Sequence, residues 1–272
     1  MIDLHSHILP GCDDGAPDLA VAAAMARLAV ADGTRILACT PHILPGLYDN
    51  DAAGIARRVQ ELQAFLKQES IHLQLVVGAD VHIAADLLQK LQAKTIPTLN
   101  GSRYFLLEPP HHIVPPNLIG FIEQLIASGY IPIITHPERL TWVNNHYDLI
   151  ARAGREGALM QITAGALTGR FGSKAKALSH RMLEEGRIDF VASDGHNISS
   201  RPPSMKEAFA FVSDKVGSDL ARNMFVETPA RILQDADVLI AGKQVEPPAS
   251  APAAQRDGVM NKLRRAFKGS RP

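Results

Sequence analysis

Hydrophobic residues in this chain form short apolar runs, which are separated by longer stretches with helical periodicity. Runs of this length are typical of buried parallel strands. They predict strands at 1–4, 35–39, 72–77, 104–107, 131–135, 159–162 and 188–192. The stretches between them predict helices at 17–32, 51–68, 117–128, 147–156 and 174–185. Pro17 fits the first position of a helix and Gly33 its C-terminal stop. This alternation predicts an α/β domain, either closed as a barrel or open and doubly wound.

The character of the chain changes near residue 245, so we predict one large domain over 1–245 and a separate segment over 246–272. That segment begins with a Pro- and Ala-rich stretch typical of a linker. Val259, Leu263 and Phe267 then recur every four residues among basic side chains. The pattern is that of a short basic amphipathic tail, which either touches a membrane surface or partner protein or is simply solvated.

Charge and composition exclude some classes of protein. The chain has 272 residues with 28 basic and 28 acidic side chains, which argues against a nucleic-acid binder that uses a basic surface. Cys12 and Cys39 are too few for a disulfide framework. The N-terminus lacks the pattern of a signal peptide, and the apolar runs are shorter than a bilayer span. We therefore expect a soluble cytoplasmic protein.

Residues that commonly bind metals follow six of the seven predicted strands. They are His5 and His7, His42, Asp80, Glu108, His136, and Asp194 with His196. In parallel α/β barrels the active site is built where strands end, and chance does not explain six such placements. Mixed imidazole and carboxylate ligands suit manganese, iron or zinc, and the lack of thiolates disfavours a structural zinc site.

Individual positions refine this prediction. His5 and His7 have the i, i+2 spacing that puts both rings on one face of an extended segment. Asp14 is the favoured ligand in the following loop, whereas Asp13 is expected to shape that loop. His82 and His111 lie near stronger candidates and are weaker candidates themselves.

Arg139 and Arg201 are candidate phosphate binders, because a guanidinium can hold phosphate through two hydrogen bonds. A surface ion pair is the alternative for Arg139. A cysteine nucleophile is not supported, because a Cys-x5-Arg loop needs arginine six residues after the cysteine. Asp18 and Pro45 occupy those positions.

Several separated motifs resemble a known superfamily. The motifs are Met-Ile-Asp-Leu-His-Ser-His-Ile-Leu-Pro at 1–10, Asp-Asp-Gly at 13–15, Thr-His-Pro-Glu-Arg at 135–139 and Ala-Ser-Asp-Gly-His-Asn at 192–197. In this order they resemble the polymerase-and-histidinol-phosphatase (PHP) superfamily. The match is closest to the CpsB/YwqE type of bacterial tyrosine-protein phosphatases, which belong to capsule and exopolysaccharide operons. The resemblance extends to about residue 233.

The resemblance implies a distorted (β/α)₇ TIM-like barrel that holds three divalent ions, with manganese expected and iron or zinc as alternatives. By matching positions, the first ion is held by His5, His7 and Asp194, with Asp80 bridging. The second is held by Asp80, Glu108 and His136, and the third by Asp14, His42 and His196. The family usually has Glu where this chain has Asp80, which is one methylene shorter. Either the backbone moves closer, or the bridge and the affinity for the second ion are weakened.

The implied activity is hydrolysis of phosphotyrosine on protein by metal-activated water, without a covalent phosphoenzyme. By resemblance, the substrate is a membrane-associated bacterial tyrosine autokinase that regulates polysaccharide export. Two alternatives stay open. One is a phosphoesterase for a small monoester such as histidinol phosphate, and the other is a metal-stabilised module that docks a kinase through the basic tail.

Overall fold

The computed structural model describes residues 1–238, in which strands and helices alternate. The strands are β1 (Ile2–Asp3), β2 (Ile36–Cys39), β3 (His42–Ile43), β4 (Gln74–Val77), β5 (Asp80–His82), β6 (Tyr104–Glu108), β7 (Ile131–Thr135), β8 (Leu159–Thr163) and β9 (Phe190–Ala192). The α-helices are α1 (Leu19–Asp32), α2 (Ala52–Gln68), α3 (Leu87–Gln92), α4 (Leu118–Ala127), α5 (Tyr147–Glu156), α6 (Ala164–Leu167), α7 (Gly172–Glu184), α8 (Lys206–Val216), α9 (Ser218–Arg222) and α10 (Thr228–Leu233). Short 3₁₀ or π segments are Leu99–Gly101, Pro137–Arg139 and Asn223–Glu227. The predicted tail at 246–272 lies outside the described residues.

The strands form two parallel sheets, with the orders β1-β2-β4 and β3-β5-β6-β7-β8-β9. The predicted α/β class is therefore confirmed. The two sheets are joined by two interrupted strands. β2 of the first sheet is followed within three residues by β3 of the second, and β4 of the first sheet is followed in the same way by β5 of the second. Gly78 lies at the second break, where a Cβ atom would come within 2.8 Å of a Leu99 methyl carbon. Its N–H donates to the Cys39 carbonyl at 3.0 Å, which continues the pairing through the break.

The first and last strands meet at their carboxyl ends. Ser6 and Gly195 form an isolated parallel bridge. The Asp194 N–H donates to the His5 carbonyl at 2.9 Å, and the His7 N–H donates to the Gly195 carbonyl at 2.8 Å. Residues from opposite ends of the described chain are thus held side by side.

Polar caps set the helix boundaries. The Asp18 carboxylate accepts from the Val21 N–H at 2.9 Å, so α1 begins at Leu19 and ends at Gly33, whose φ is 100°. Pro17 therefore precedes the cap and is not the first helical residue, which corrects the sequence-based expectation. Asp51 caps α2 in the same way.

The core lies on both faces of the parallel sheets. Every residue of β6 is buried, and Phe105, Leu106, Ile133 and Phe190 have no exposed surface. Burying such a side chain contributes about 1.5–3 kcal/mol. These strands therefore form a stable frame for the polar residues at their ends. Within residues 1–238, no helix is long and apolar enough to cross a bilayer.

Candidate metal centre

The nine residues proposed from the sequence as ligands converge at the carboxyl ends of the strands. His5 and His7 follow β1, His42 begins β3, Asp80 begins β5, Glu108 ends β6, His136 follows β7, and Asp194 and His196 follow β9, while Asp14 lies in the loop after β1. Most of them are buried, but the side chains of Asp14 and His42 are 49% and 13% exposed. The cluster therefore lies under the surface with one more open side.

Ligand atoms of these residues fall into compact groups, within each of which all the atoms lie within 4.8 Å of one another. The groups are His7-Asp14-His42-His196, His5-His7-Asp80, His5-His136-Asp194, His42-His82-Glu108 and Glu108-His111-His136. The first contains the complete set that was expected for the third ion. The sets expected for the first and second ions are spread over the other groups.

Distances within the cluster fit shared ligation better than direct hydrogen bonds. His5 Nε2 lies 3.3 Å from Asp80 Oδ2 and 3.4 Å from Asp194 Oδ1. His196 Nε2 lies 3.3 Å from Asp14 Oδ1. Two ligands with bonds of about 2.1 Å to one ion stand ~3.0–3.5 Å apart at ordinary coordination angles. These separations fit that value.

The far side of several imidazoles is fixed by a hydrogen bond. His5 Nδ1 lies 2.9 Å from Gln161 Oε1, and His7 Nδ1 lies 2.7 Å from Asp13 Oδ2. His196 Nδ1 lies 3.0 Å from the Asp194 carbonyl oxygen. Such acceptors hold the proton on Nδ1 and leave Nε2 free to face a metal ion.

Asp13 connects three parts of the site. Its Oδ2 accepts from the His42 N–H at 2.9 Å as well as from His7 Nδ1, and its Oδ1 accepts from the Gly15 N–H at 2.9 Å. Gly15 allows this approach, because a Cβ atom there would lie 2.0 Å from the His7 carbonyl oxygen. Asp13 thus shapes the loop, as expected from the sequence, and also orients His7.

The residues fit divalent ions on two observations. Within residues 1–238, Oδ1 of Asp80 is buried without a hydrogen-bond partner, an arrangement that is costly unless a cation satisfies it. Burial also lowers the pKa of His136 well below its usual value and lowers that of His196 to about 4. Both rings are therefore neutral at pH 7 and able to bind metal.

Charged neighbours shift the pKa values of His7 and Asp194 in opposite directions. Burial lowers the pKa of His7, but the carboxylates of Asp13 and Asp194 outweigh it and raise that pKa to about 10. For Asp194, burial raises the pKa, and the neighbouring His5, His7 and arginines overcome this and hold it well below the usual value. A site that draws a proton onto a buried imidazole also attracts a metal cation, which competes for the same place.

The Asp80 carboxylate faces one side of the cluster. Among the histidines of residues 1–238, those with a ring nitrogen within 4.0 Å of this carboxylate are His5, at 3.3 Å, and His42, at 3.5 Å. His136 Nε2 instead lies 3.5 Å from Glu108 Oε1. The shorter side chain of Asp80 is thus directed towards the first and third ligand sets.

Arg139 and Arg201 meet at one carboxylate. Arg139 Nη1 and Arg201 Nη2 both bind Asp194 Oδ2, the second at 2.6 Å. The two side chains are only 14% and 24% exposed, so Arg139 is not in a surface ion pair. Both line a cavity of about 220 Å³ together with ligands such as Asp14 and His136. All residues that line this cavity except Leu44 carry a polar or ionisable side chain.

Three residues that line this cavity were only weak candidates from the sequence, or were not candidates at all. His82 Nε2 lies 2.6 Å from Glu108 Oε2, and His111 Nε2 lies 3.2 Å from Glu108 Oε1. Asp80 and His82 have the i, i+2 spacing of one strand face, which is the signal that favoured His82. Tyr48 stacks on His42 with ring centroids 5.6 Å apart, and no signal in the sequence singled it out.

The cysteines take no part in the site. Cys12 and Cys39 are buried and unpaired. Burial raises the pKa of the Cys12 thiol to about 11 and raises that of Cys39 as well. Neither is a thiolate nucleophile at neutral pH.

Comparison with known proteins identifies the family of this chain. The family model described as capsular polysaccharide synthesis, CpsB/CapC, matches residues 1–234. The chain belongs to the CpsB/CapC family. This confirms the membership that the motifs predicted.

Two named relatives and one solved structure are similar to this chain over most of its length. The chain is 36% identical over 250 residues to tyrosine-protein phosphatase YwqE of Bacillus subtilis (strain 168), covering 91% of this chain and 95% of the relative. It is 31% identical to tyrosine-protein phosphatase CpsB of Streptococcus pneumoniae, covering 86% and 99%. A chain from the crystal structures of YwqE and CpsB, described as unique metal-dependent tyrosine phosphatases, superposes with a TM-score of 0.85 at 36% identity, covering 88% of this chain and 96% of that one.

Proposed function

We propose that this protein is a metal-dependent protein-tyrosine phosphatase. The observation that carries the proposal is the convergence of nine imidazole and carboxylate side chains at the strand ends, where five of them line one cavity together with Arg139 and Arg201. The relatives named as tyrosine-protein phosphatases support the same activity, because they align with 91% and 86% of this chain.

We also propose that the strands form a distorted (β/α)₇ barrel. Counting β2 with β3 and β4 with β5, the strands occupy seven positions, and all named pairs are parallel. The hydrogen bonds between the ends of β1 and β9 support closure of the ring. A closed parallel barrel puts all strand ends at one mouth, which is where the ligands lie.

We assign the metal ligands in three sets. One ion would be held by His5, His7 and Asp194 with Asp80, a second by Asp80, Glu108 and His136, and a third by Asp14, His42 and His196. The third set lies within one compact group of ligand atoms, and Glu108 and His136 of the second set lie together in another. Manganese is the expected metal, and iron and zinc suit the same donors. Bound ions supply the Lewis acidity that activates water for attack on phosphorus and offsets the charge of the phosphoryl group.

The protein's own side chains bind and orient the substrate. Arg139 and Arg201 each bring several N–H donors to the cavity, enough to hold phosphoryl oxygens while one donor stays on Asp194. Asp13 and Gln161 hold their histidines in the ligating tautomer. The bond that breaks joins phosphorus to the tyrosyl oxygen. Tyrosinate has a pKa of about 10 and leaves with less protonation than an alkoxide needs.

We assign the biological substrate to phosphotyrosine on a membrane-associated bacterial tyrosine kinase that controls polysaccharide export. The family description, capsular polysaccharide synthesis, supports this. The proposal places the protein in the cytoplasm, where such a kinase presents its phosphorylated segment.

The test is hydrolysis of p-nitrophenyl phosphate and of a phosphotyrosine peptide by purified protein. Activity should be lost in EDTA, return with Mn²⁺ and be absent in the His136→Ala variant, because that variant loses a buried ligand. His72→Ala is the matched control, since His72 is exposed at the start of the β4 segment. Protein that binds Mn²⁺ and hydrolyses neither substrate would refute the activity and favour a metal-stabilised binding module.

A further inference from the structure

Two cationic side chains lie unusually close together beside the metal centre. Arg139 comes from the turn after β7 and Arg201 from the loop after β9, yet both bind the same oxygen of Asp194. One carboxylate charge does not balance two guanidinium charges, and like charges at this distance repel each other. Some further contact is needed to hold both groups in place.

The ring of Phe171 provides that contact. The Arg139 Cζ atom lies 4.5 Å from the centre of this ring, and the Arg201 Cζ atom lies 5.8 Å from it. Both distances are within the range of about 6 Å over which the negative face of an aromatic ring attracts a cation. One ring therefore contacts both arginines.

Contacts of residues 165–171 fix the position of the Phe171 ring. Phe171 lies between α6 and α7, and its ring packs over Gly165, where a Cβ atom would lie 3.0 Å from the ring carbon Cε2. The Arg170 N–H donates to the Gly165 carbonyl at 2.7 Å. The Arg170 guanidinium lies 3.5 Å and 3.4 Å from the carbonyls of Ser199 and Ser200, the two residues before Arg201. Phe171 thus contacts the Arg201 guanidinium, and Arg170 contacts the loop that carries Arg201.

We propose that Phe171 is a positioning residue, whose ring holds the Arg139 and Arg201 guanidiniums in the orientation that binds the phosphoryl group. The inference rests on the proposed function, because it gives the arginines the role of phosphate binders. Phe171 is not among the residues that line the cavity beside the two arginines. It acts by limiting the rotamers of two flexible side chains, which reduces the entropy lost when phosphate binds.

The experiment compares Phe171→Leu, which keeps an apolar side chain and removes the aromatic face, with Phe171→Tyr, which keeps that face. Phe65→Leu is the matched control, because Phe65 is also partly buried but packs against the core from within α2. Each variant is measured for kcat and KM on p-nitrophenyl phosphate, for bound metal, and for affinity towards inorganic phosphate by calorimetry. Phe171→Leu should lower kcat/KM and phosphate affinity by about tenfold. Its metal content should stay at the wild-type level, and Phe171→Tyr should restore both quantities.

Phosphate affinity and kcat/KM of Phe171→Leu within twofold of Phe65→Leu would overturn the inference, as would loss of metal in Phe171→Leu or failure of Phe171→Tyr to restore phosphate binding. Wild-type protein that binds phosphate without hydrolysing it would refute the proposed activity, and the calorimetric comparison would still decide the role of Phe171. Wild-type protein that binds metal but no phosphate would overturn the inference alone.

Discussion

Asp13 offers a graded test of how the metal centre is organised. Its carboxylate accepts three hydrogen bonds, from His7 Nδ1, the His42 N–H and the Gly15 N–H. In Asp13→Asn the amide oxygen can replace Oδ2 and keep two of these bonds, while the NH₂ group faces the Gly15 N–H. In Asp13→Ala all three hydrogen bonds are lost. The two variants therefore separate the orientation of His7 from the shape of the loop.

The expected magnitudes follow from these contacts. A buried donor that is left without its acceptor costs about 1–3 kcal/mol. Loss of a group that orients a metal-binding histidine weakens metal affinity by about 10- to 100-fold. We expect Asp13→Asn to weaken Mn²⁺ binding by about tenfold, and Asp13→Ala to reach the upper end of that range or exceed it.

The measurement is a Mn²⁺ titration of chelator-stripped protein, followed by calorimetry and checked by metal analysis. Asp18→Asn is the control, because it changes the same chemical group at an exposed helix cap that asparagine also satisfies. Mn²⁺ affinities within twofold of wild type for both Asp13 variants would show that the carboxylate does not organise the centre.

Three other substitutions test separate features. Gly15→Ala would place Cβ 2.0 Å from the His7 carbonyl oxygen, so its melting temperature should fall by about 5 °C or more, whereas Gly154→Ala, with ordinary contacts, should not destabilise. Burial raises the pKa of Asp189 from 3.8 to about 7, so its contribution to stability is lost as pH rises from 4 to 7. Asp189→Asn should reduce the fall in urea unfolding free energy between pH 5 and 8, measured in EDTA, and an unchanged fall would refute this. Tyr48→Ala should raise KM for p-nitrophenyl phosphate but not for an alkyl phosphate, since an aromatic face at the cavity is lost.

The placement of ligands at strand ends was predictable because it depends on a general rule. Parallel strands run in the same direction, so residues that follow them lie at one edge whatever the details of the loops. This is why residues as far apart in sequence as His5 and Asp194 can be assigned to one cluster from the amino-acid sequence alone. The helix starts at Asp18 and Asp51 depend on local capping and were within two residues of the predictions.

The features that the sequence did not predict depend on distant pairing. β3 and β5 have two and three residues, too short to show a period, and they follow interruptions at Pro41 and Gly78. His82 contacts Glu108 because the register of β5 against β6 pairs these two residues directly. Phe171 contacts arginines that lie about 30 residues before and after it in the sequence, and no local pattern indicates such a contact.

The junction between β1 and β9 also affects how the protein is made. His5 and His7 leave the ribosome early, but the backbone partners that hold their segment, Asp194 and Gly195, are made near the end of the described chain. Because domains are synthesised from the N-terminus, the nascent chain carries an incomplete cluster until Asp194 and His196 have been made. We therefore expect complete metal loading only after β9 has been synthesised, and a chain that terminates before β9 would lack the Asp194 carboxylate beside His5 and His7.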